Sequence, residues 1–171
     1  MLGFHVGLGG TGERGGTRYD LVTTLGVNLR TDIPVVRYLL LGPFIQFGAW
    51  RPDVPGDAPT RDYYFDIDLY VRGRIPIELD PIALQMWGGV PIGLTLSLLG
   101  RDSSRDLDGF GVGWNVGLLV GGAVHFSKKF GMFVEAGWMQ HRMSHARPAG
   151  GGSEGMRISQ GNVNLGFVFG G

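Results

Sequence analysis

Several sets of side chains have the types and spacing that chemistry needs. His125 and Ser127, with Glu135 further on, supply a base, a hydroxyl nucleophile and a carboxylate to orient the base, the parts of an acyl-transfer triad. His141 and His145, four positions apart, would share one face of a helix and offer two imidazoles to a metal. Asp102, Asp106, Asp108 and Gly109 resemble part of a calcium loop, and Gly7-Leu-Gly-Gly-Thr-Gly resembles part of a phosphate-cradling loop. Asp66, Asp68, Arg72 and Arg74, with Glu135, are acids and bases that would form a paired network if folding brought them together.

Each of these readings depends on the element that carries the residues. A phosphate loop must open a helix after a strand, and no amphipathic helix is legible anywhere in the chain. His141 and His145 fall where a strand runs into a loop, so the helical spacing of a metal pair has no helix under it. The acidic string lacks the ligand register and the closing bidentate Glu of a calcium site, and Arg101 and Arg105 balance it as a solvated loop. Without Cys there is no thiolate nucleophile, disulfide framework or Cys-type zinc site. We therefore expect no metal and no cofactor.

Composition narrows the classes further. The 171 residues carry 15 Lys plus Arg against 15 Asp plus Glu, a zero balance without like-charge runs that argues against a nucleic-acid partner. The length suits a single domain spanning 1–171. Charged residues make up only 18% of the chain and Gly contributes 32, an odd coat for a domain that must face water. No apolar stretch is long enough for a membrane helix, because Leu84 to Leu99 is broken by Gln85, Gly88, Gly89, Pro91 and Gly93. MLGFHVGLGG has neither the basic region nor the cleavage site of a signal peptide, so either the chain is not exported or this is a mature form with an added start Met.

A two-residue period runs along almost the whole sequence. Phe65, Ile67, Leu69 and Val71 alternate with Asp66, Asp68, Tyr70 and Arg72, so one face is apolar and the other charged. The same beat appears in Leu2 to Leu8, in Leu21 to Leu29, in Trp114, Val116, Leu118 and Val120, and in Val163, Leu165, Phe167 and Phe169. Leu39 to Trp50, Leu84 to Leu98 and Met132 to Met143 are noisier, and Pro43 and Pro91 mark edges or bulges in two of them. About eight strands of about ten to fourteen residues use up the chain.

The connections at 9–18, 51–62, 99–110 and 144–156 are long, while those at 31–35, 75–82 and 127–129 are short, with 75–82 longer than a tight turn. Long alternating with short is the signature of an up-and-down meander with all long loops at one rim. The polar face is too charged for a dry core, yet an eight-stranded barrel is narrow enough for paired charges to fill it. The apolar face, including Phe65, Ile67, Leu69, Val71, Val116, Leu118, Val120, Val163, Leu165 and Phe167, is therefore expected to meet lipid. Aromatics near predicted strand ends give two interface girdles: Tyr19, Trp50, Tyr63, Tyr64, Phe110, Trp114 and Trp138 toward the long loops, and Phe126, Phe130, Phe167 and Phe169 toward the short turns.

On this full-length architecture and on the final strand GNVNLGFVFGG, the chain resembles the small eight-stranded outer-membrane β-barrels of Gram-negative bacteria, the OmpA-like and OmpX-like barrels. The resemblance implies an all-β, antiparallel transmembrane barrel in the bacterial outer membrane. Its termini would lie in the periplasm and its long loops outside, with the bilayer and lipopolysaccharide around it. It also implies that Val163, Leu165, Phe167 and Phe169 are read by the barrel-assembly machinery. His125, Ser127 and Glu135 are similar to the His, Ser and Glu of outer-membrane lipid A deacylases. Their shorter spacing and periplasmic placement favour a strand-end His and a turn-forming Ser instead.

The expected role is non-enzymatic, a structural or surface-interaction barrel acting through loops 11–18, 51–62, 100–110 and 144–156. The alternative is a narrow, porin-like pore or a conduit for small molecules, in which Asp66, Asp68, Arg72, Arg74 and Glu135 line a polar path rather than fill the lumen. A soluble lipocalin-like carrier and a lipid A-modifying hydrolase stand behind both.

Overall fold

Alternating residues need a surface with two different sides, and a sheet closed on itself supplies it. A computed structural model describes residues 1–53, 61–80, 82–100, 109–147 and 152–169, and those residues contain strands and turns without a helix. β1 spans Leu2–Arg14 and β2 returns in two halves, Thr17–Leu21 and Thr24–Arg30. β3 is Leu39–Trp50, β4 Asp62–Leu79, β5 Ile82–Leu98, β6 Phe110–Ser127, β7 Phe130–Ala146 and β8 Ser153–Phe169. Short pieces at Ile33–Val36 and Pro52–Asp53 pair with the start of β3 and with the first half of β2.

Each strand pairs antiparallel with the next, and β8 pairs with β1 from Leu2↔Phe167 to Arg14↔Met156, so the eight strands form a closed ring with no free edge. Both described ends of the chain, the turns around 31–38 and 128–129, and the adjoining ends of β4 and β5 lie at one end of the barrel, here the turn end. At the opposite, or loop, end lie the β1–β2 turn at 15–16 and the ends Trp50, Asp62, Leu98, Phe110, Ala146 and Ser153 of β3 to β8.

Two connections differ from the sequence expectation because the wall runs further. Residues 9–18 are mostly strand, and β1 turns into β2 through Gly15 and Gly16, whose φ of +56° and +81° fit a two-residue hairpin that favours glycine. Residues 75–79 also belong to the wall, because Ile75 to Leu79 still pair with Ile82 to Met86. Of the remaining long-loop regions, 54–60, 101–108 and 148–151 lie outside the described residues, and with them the Asp102, Asp106, Asp108 string.

Pro43 and Pro91 both sit inside the wall, where each removes one amide donor. The pairing of β2 with β3 ends at Arg30↔Phe44, short of Pro43, whose carbonyl instead accepts from the Thr31 amide at 3.1 Å. The ladder between β5 and β6 skips Val90 and Pro91, while the β4 side runs unbroken through Tyr70↔Pro91. β1 carries a bulge between Leu8 and Gly10, where Gly9 has a φ of +33° and Gly10 one of +151°. Leu2, Phe4 and Leu8 point outward below it, and Thr11 and Glu13 point outward above it.

The lumen is packed along its length. Trp87, Ala123, Phe133 and Val168 fill the turn end with Met1 against them, and Phe44, Tyr70 and Leu119 sit in the middle. Leu21, Trp50, Tyr64, Leu99, Met143, Met156 and Ile158 fill the loop end. The outer wall between carries Ile45, Ile67 and Leu94 in one row across β3, β4 and β5. Replacing Ile67 by Arg puts a guanidinium at mid-wall and is expected to cost about 2–4 kcal/mol of folding free energy in a bilayer. Urea titration of the chain in phospholipid vesicles measures it, and an unchanged midpoint would mean that this face does not meet lipid.

Candidate functional site

The period of two puts every second residue of each strand inside a ring too narrow for water to hydrate charge freely, so polar side chains there must find one another. Glu135 on β7 is the point where most of them converge. Its Oε2 accepts from Arg30 Nη1 at 2.7 Å, Tyr70 hydroxyl at 2.7 Å and Trp87 Nε1 at 2.6 Å, and its Oε1 accepts from Asn164 Nδ2 at 3.1 Å. Four strands besides its own thus supply the donors for one carboxylate. The Arg30 guanidinium also lies 4.5 Å from the Phe133 ring centroid and 5.0 Å from that of Trp87, so its faces are covered by aromatic rings while its edge pairs. Arg72 pairs with Asp32 from the turn after β2 and lies over Tyr70 and Trp87 at 5.0 and 5.1 Å.

A second group sits toward the loop end. Asp66 accepts from Thr95 Oγ1 at 2.7 Å and from His141 Nε2 at 3.0 Å, while Asp68 accepts from Asn115 Nδ2 at 2.9 Å. A chain of hydrogen bonds runs from the first group toward the second and reaches Tyr64, whose ring centroid lies 5.4 Å from that of His141. Asn164 Oδ1 accepts from His5 Nδ1 at 3.1 Å, which leaves His5 Nε2 to accept the Tyr64 hydroxyl at 2.8 Å, and the Tyr64 oxygen accepts from Gln46 Nε2 at 3.0 Å. Asn28 Nδ2 donates to the same Asn164 oxygen at 3.1 Å.

Of the charged residues singled out from sequence, Asp66, Asp68, Arg72 and Glu135 are buried in the lumen. Arg74 is not part of this network. It lies near the end of β4 at the exposed turn end, where its Nε donates to the Arg37 carbonyl at 2.9 Å. Arg30, His5, Trp87 and Asn164 are not among the residues singled out from sequence, and His141 is among them only as a metal ligand; Tyr70 and His141 stand in the inward phase of Asp68 and Glu135 on their own strands. The signal was their phase, since Asn28 and Arg30, like Asn162 and Asn164, alternate with apolar neighbours on their strands.

Three residues assigned to the membrane interface, Trp50, Tyr64 and Tyr19, face inward instead. Trp50 is 0% exposed and stacks on Tyr64 at 4.4 Å with its edge toward His141. It shares the parity of Phe44 and Gln46, and parity rather than nearness to a strand end decides the face. Tyr64, in phase with Asp66, is inside for the same reason. Tyr19 packs on the apolar cluster at the loop end, opposite in phase to Arg18. The outward aromatics are Tyr63, Phe110, Trp114 and Trp138 at the loop end, and Phe126, Phe130, Phe167 and Phe169 at the turn end, where Phe130 lies 5.8 Å from Phe167. Phe65, Ile67, Leu69, Val71, Leu118, Val120, Leu165 and Phe167 stand exposed on the outer wall, and Val116 and Val163 are half-buried on it.

Ser127, Glu135, His141 and His145 each have other partners in this geometry. Ser127 Oγ accepts from the amides of Lys129 and Phe130 at 3.2 and 3.1 Å, a turn-forming role, and Glu135 is engaged by four donors on the inner face. His141 and His145 lie on the inner face of β7 and are bound separately, the first to Asp66 and the second to Ser97 Oγ at 3.0 Å. No cluster of three or more metal-ligating side chains is present among the described residues.

An eight-stranded closed meander with an apolar exterior and a filled polar lumen is the fold of the small outer-membrane barrels. No protein-family model and no curated protein sequence matches the chain. Solved structures do. The chain is similar to the outer membrane protein OprG from Pseudomonas aeruginosa, with 12% identity over 97% of this chain and 91% of that one and a TM-score of 0.59. It is also similar to Neisserial surface protein A, with 9% identity over 96% of this chain and 94% of that one and a TM-score of 0.52. At these identities the likeness is one of fold.

Removing the Glu135 carboxylate leaves Arg30 charged and without its counter-ion inside the ring. Glu135→Ala is expected to cost about 3–5 kcal/mol, and the double change Arg30→Met, Glu135→Leu to recover most of that. Equilibrium unfolding from detergent micelles reads both values. Equal losses in the single and double variants would show that the carboxylate matters through Tyr70 and Trp87 rather than through Arg30.

Proposed function

We propose that the chain is an integral outer-membrane barrel of non-conducting, non-enzymatic type, acting as a structural or surface-interaction protein through its loop-end rim. The observation that carries this reading is the closed lumen. Arg30, Phe44, Tyr64, Trp50, Met139, Ile158 and Glu135, spread from one end to the other, are all buried from a water-sized probe. A path for solutes would have to break the Arg30–Glu135 pair and unstack Trp50 from Tyr64.

The outer wall supports membrane residence, since its exposed side chains are the apolar set and its two ends carry rings of Tyr, Trp and Phe. The names of the two similar structures, an outer membrane protein and a surface protein, point the same way. On this reading lipid and lipopolysaccharide surround the wall, the loop end faces outward, and the outward residues of β8 are what the assembly machinery reads.

Purified protein folded in detergent and added to a planar bilayer is expected to give no long-lived unitary conductance. Regular openings whose size changes in Asp68→Ala or Arg72→Ala would replace this proposal with the narrow pore. A monomeric β-protein folding in plain buffer would replace it with the soluble carrier.

A further inference from the structure

Above the bulge in β1 the outer wall changes character. One row across four strands reads Arg142 on β7, Arg157 on β8, Glu13 on β1 and Arg18 on β2, in direct cross-strand register. The next row toward the turn end reads Gln140, Ser159, Thr11 and Asp20. Thr11, Glu13, Arg18, Arg157 and Ser159, with the backbone of Gly12, enclose a hollow of about 220 Å³ on this face. Three guanidiniums stand beside two carboxylates, and among the described residues neither Glu13 nor Asp20 is within ion-pair distance of Arg18, Arg142 or Arg157.

The arginines at this level are held in place by uncharged neighbours. With its amide oriented to satisfy both groups, Gln140 Oε1 accepts from Arg157 Nη2 at 2.8 Å and Nε at 2.6 Å. Arg142 lies over the Trp114 ring at 5.6 Å, and Trp138 Nε1 donates to Ser159 Oγ at 2.7 Å just below. Arg157 and Arg142 are thus oriented without being neutralised, and Arg18 makes no ion pair among the described residues. The two indoles mark the level where hydrocarbon gives way to headgroups. Arg18 and Arg157 both line the hollow at that level, and although Gln140 takes the Nε and Nη2 edge of Arg157, guanidinium N–H groups are left to meet phosphate oxygens.

We propose that the hollow between Arg18 and Arg157 binds the phosphate of a phosphorylated glycolipid in the outer leaflet, with Arg142 completing the charge. The proposal rests on the membrane reading above and names a lipid for it. Thr11 and Ser159 hydroxyls line the hollow to donate to the remaining phosphate oxygens, and Glu13, between Arg157 and Arg18 in the row, is the one acid of the lining, which the three guanidiniums outnumber. The acyl chains would then run down the wall past Leu8 and Val163, which lie beneath the polar rows on β1 and β8. The patch belongs to one side of the barrel, β7 through β2, so the lipid would be held at the seam where the ring closes.

The test uses full-length protein folded in detergent micelles, titrated with bisphosphorylated lipid A and read by native mass spectrometry. Wild type is expected to retain one lipid A, and Arg18→Gln with Arg157→Gln to weaken retention by about tenfold or more. Arg37→Gln, at the turn end, is the control and should bind as wild type does. Folding of every variant is checked by its heat-dependent gel shift. If the double variant does not fold, the single Arg157→Gln change carries the same expectation in smaller degree. Equal retention by wild type and the folded variants, or equal retention of lipid A stripped of its phosphates, would overturn the site. Inorganic phosphate binding as tightly as lipid A would overturn its assignment to a lipid. A wild-type chain that folds only in plain buffer would overturn the membrane reading itself, a failure distinct from these.

Discussion

The pairing of the first strand with the last is the constraint on which the rest of this molecule depends. A sheet in hydrocarbon cannot leave a row of amides and carbonyls unpaired, so β1 must meet β8 along nearly its whole length. Closing the ring at eight strands then sets its diameter, and the diameter sets what can occupy the inside. Only side chains fit, large ones opposite small ones. The alternation of Gly, Asn and His with Phe, Leu and Val along β1 and β8 serves both demands, with small and polar residues inward and apolar residues outward.

Within so narrow a lumen, polar groups are useful only in complete sets. Glu135 gathers a guanidinium, a phenol, an indole and a carboxamide from β2, β4, β5 and β8, so the strands that hold its donors are fixed in relative height. Such a network helps to specify register, because a one-residue slip of β2, β4 or β7 would turn Arg30, Asp66 and Asp68, or Glu135 to the outer face. The apolar clusters at either end of the lumen keep water away from the pair and make its electrostatics strong.

Much of this was legible in the residues because a period of two is a direct statement about faces. The alternation in Phe65 to Arg72 assigns the inside and outside of β4 without any knowledge of its neighbours. What alternation does not contain is pairing. That Glu135 meets Arg30 depends on the relative height of β7 and β2, which are not adjacent in the ring, and on the depth to which each side chain reaches across the lumen. Trp50 and Tyr64 went to the wrong side for a different reason. Their chemical type suggests an interface, but the phase that Gln46 and Asp66 set on the same strands turns them inward. The connections at 9–18 and 75–82 were read as loops because glycine, proline and charge are turn signals. Beyond the lipid band a barrel wall can use those residues freely, since its outer face there meets water.

The paired glycines at the β1 bulge give the strand a second use. Below them the even-numbered side chains look outward, and above them the odd-numbered ones do, so the strand reads as two half-strands joined out of step. A periodic sequence would otherwise be obliged to present the same kind of surface from bottom to top. Inserting half a period lets the chain exchange an apolar exterior for a polar one at a chosen height without changing its composition, its neighbours or its hydrogen-bonded closure. The boundary between oily and wetted wall on this side of the barrel is thus written in backbone geometry rather than in a gradient of side chains, and its height is fixed to within one residue.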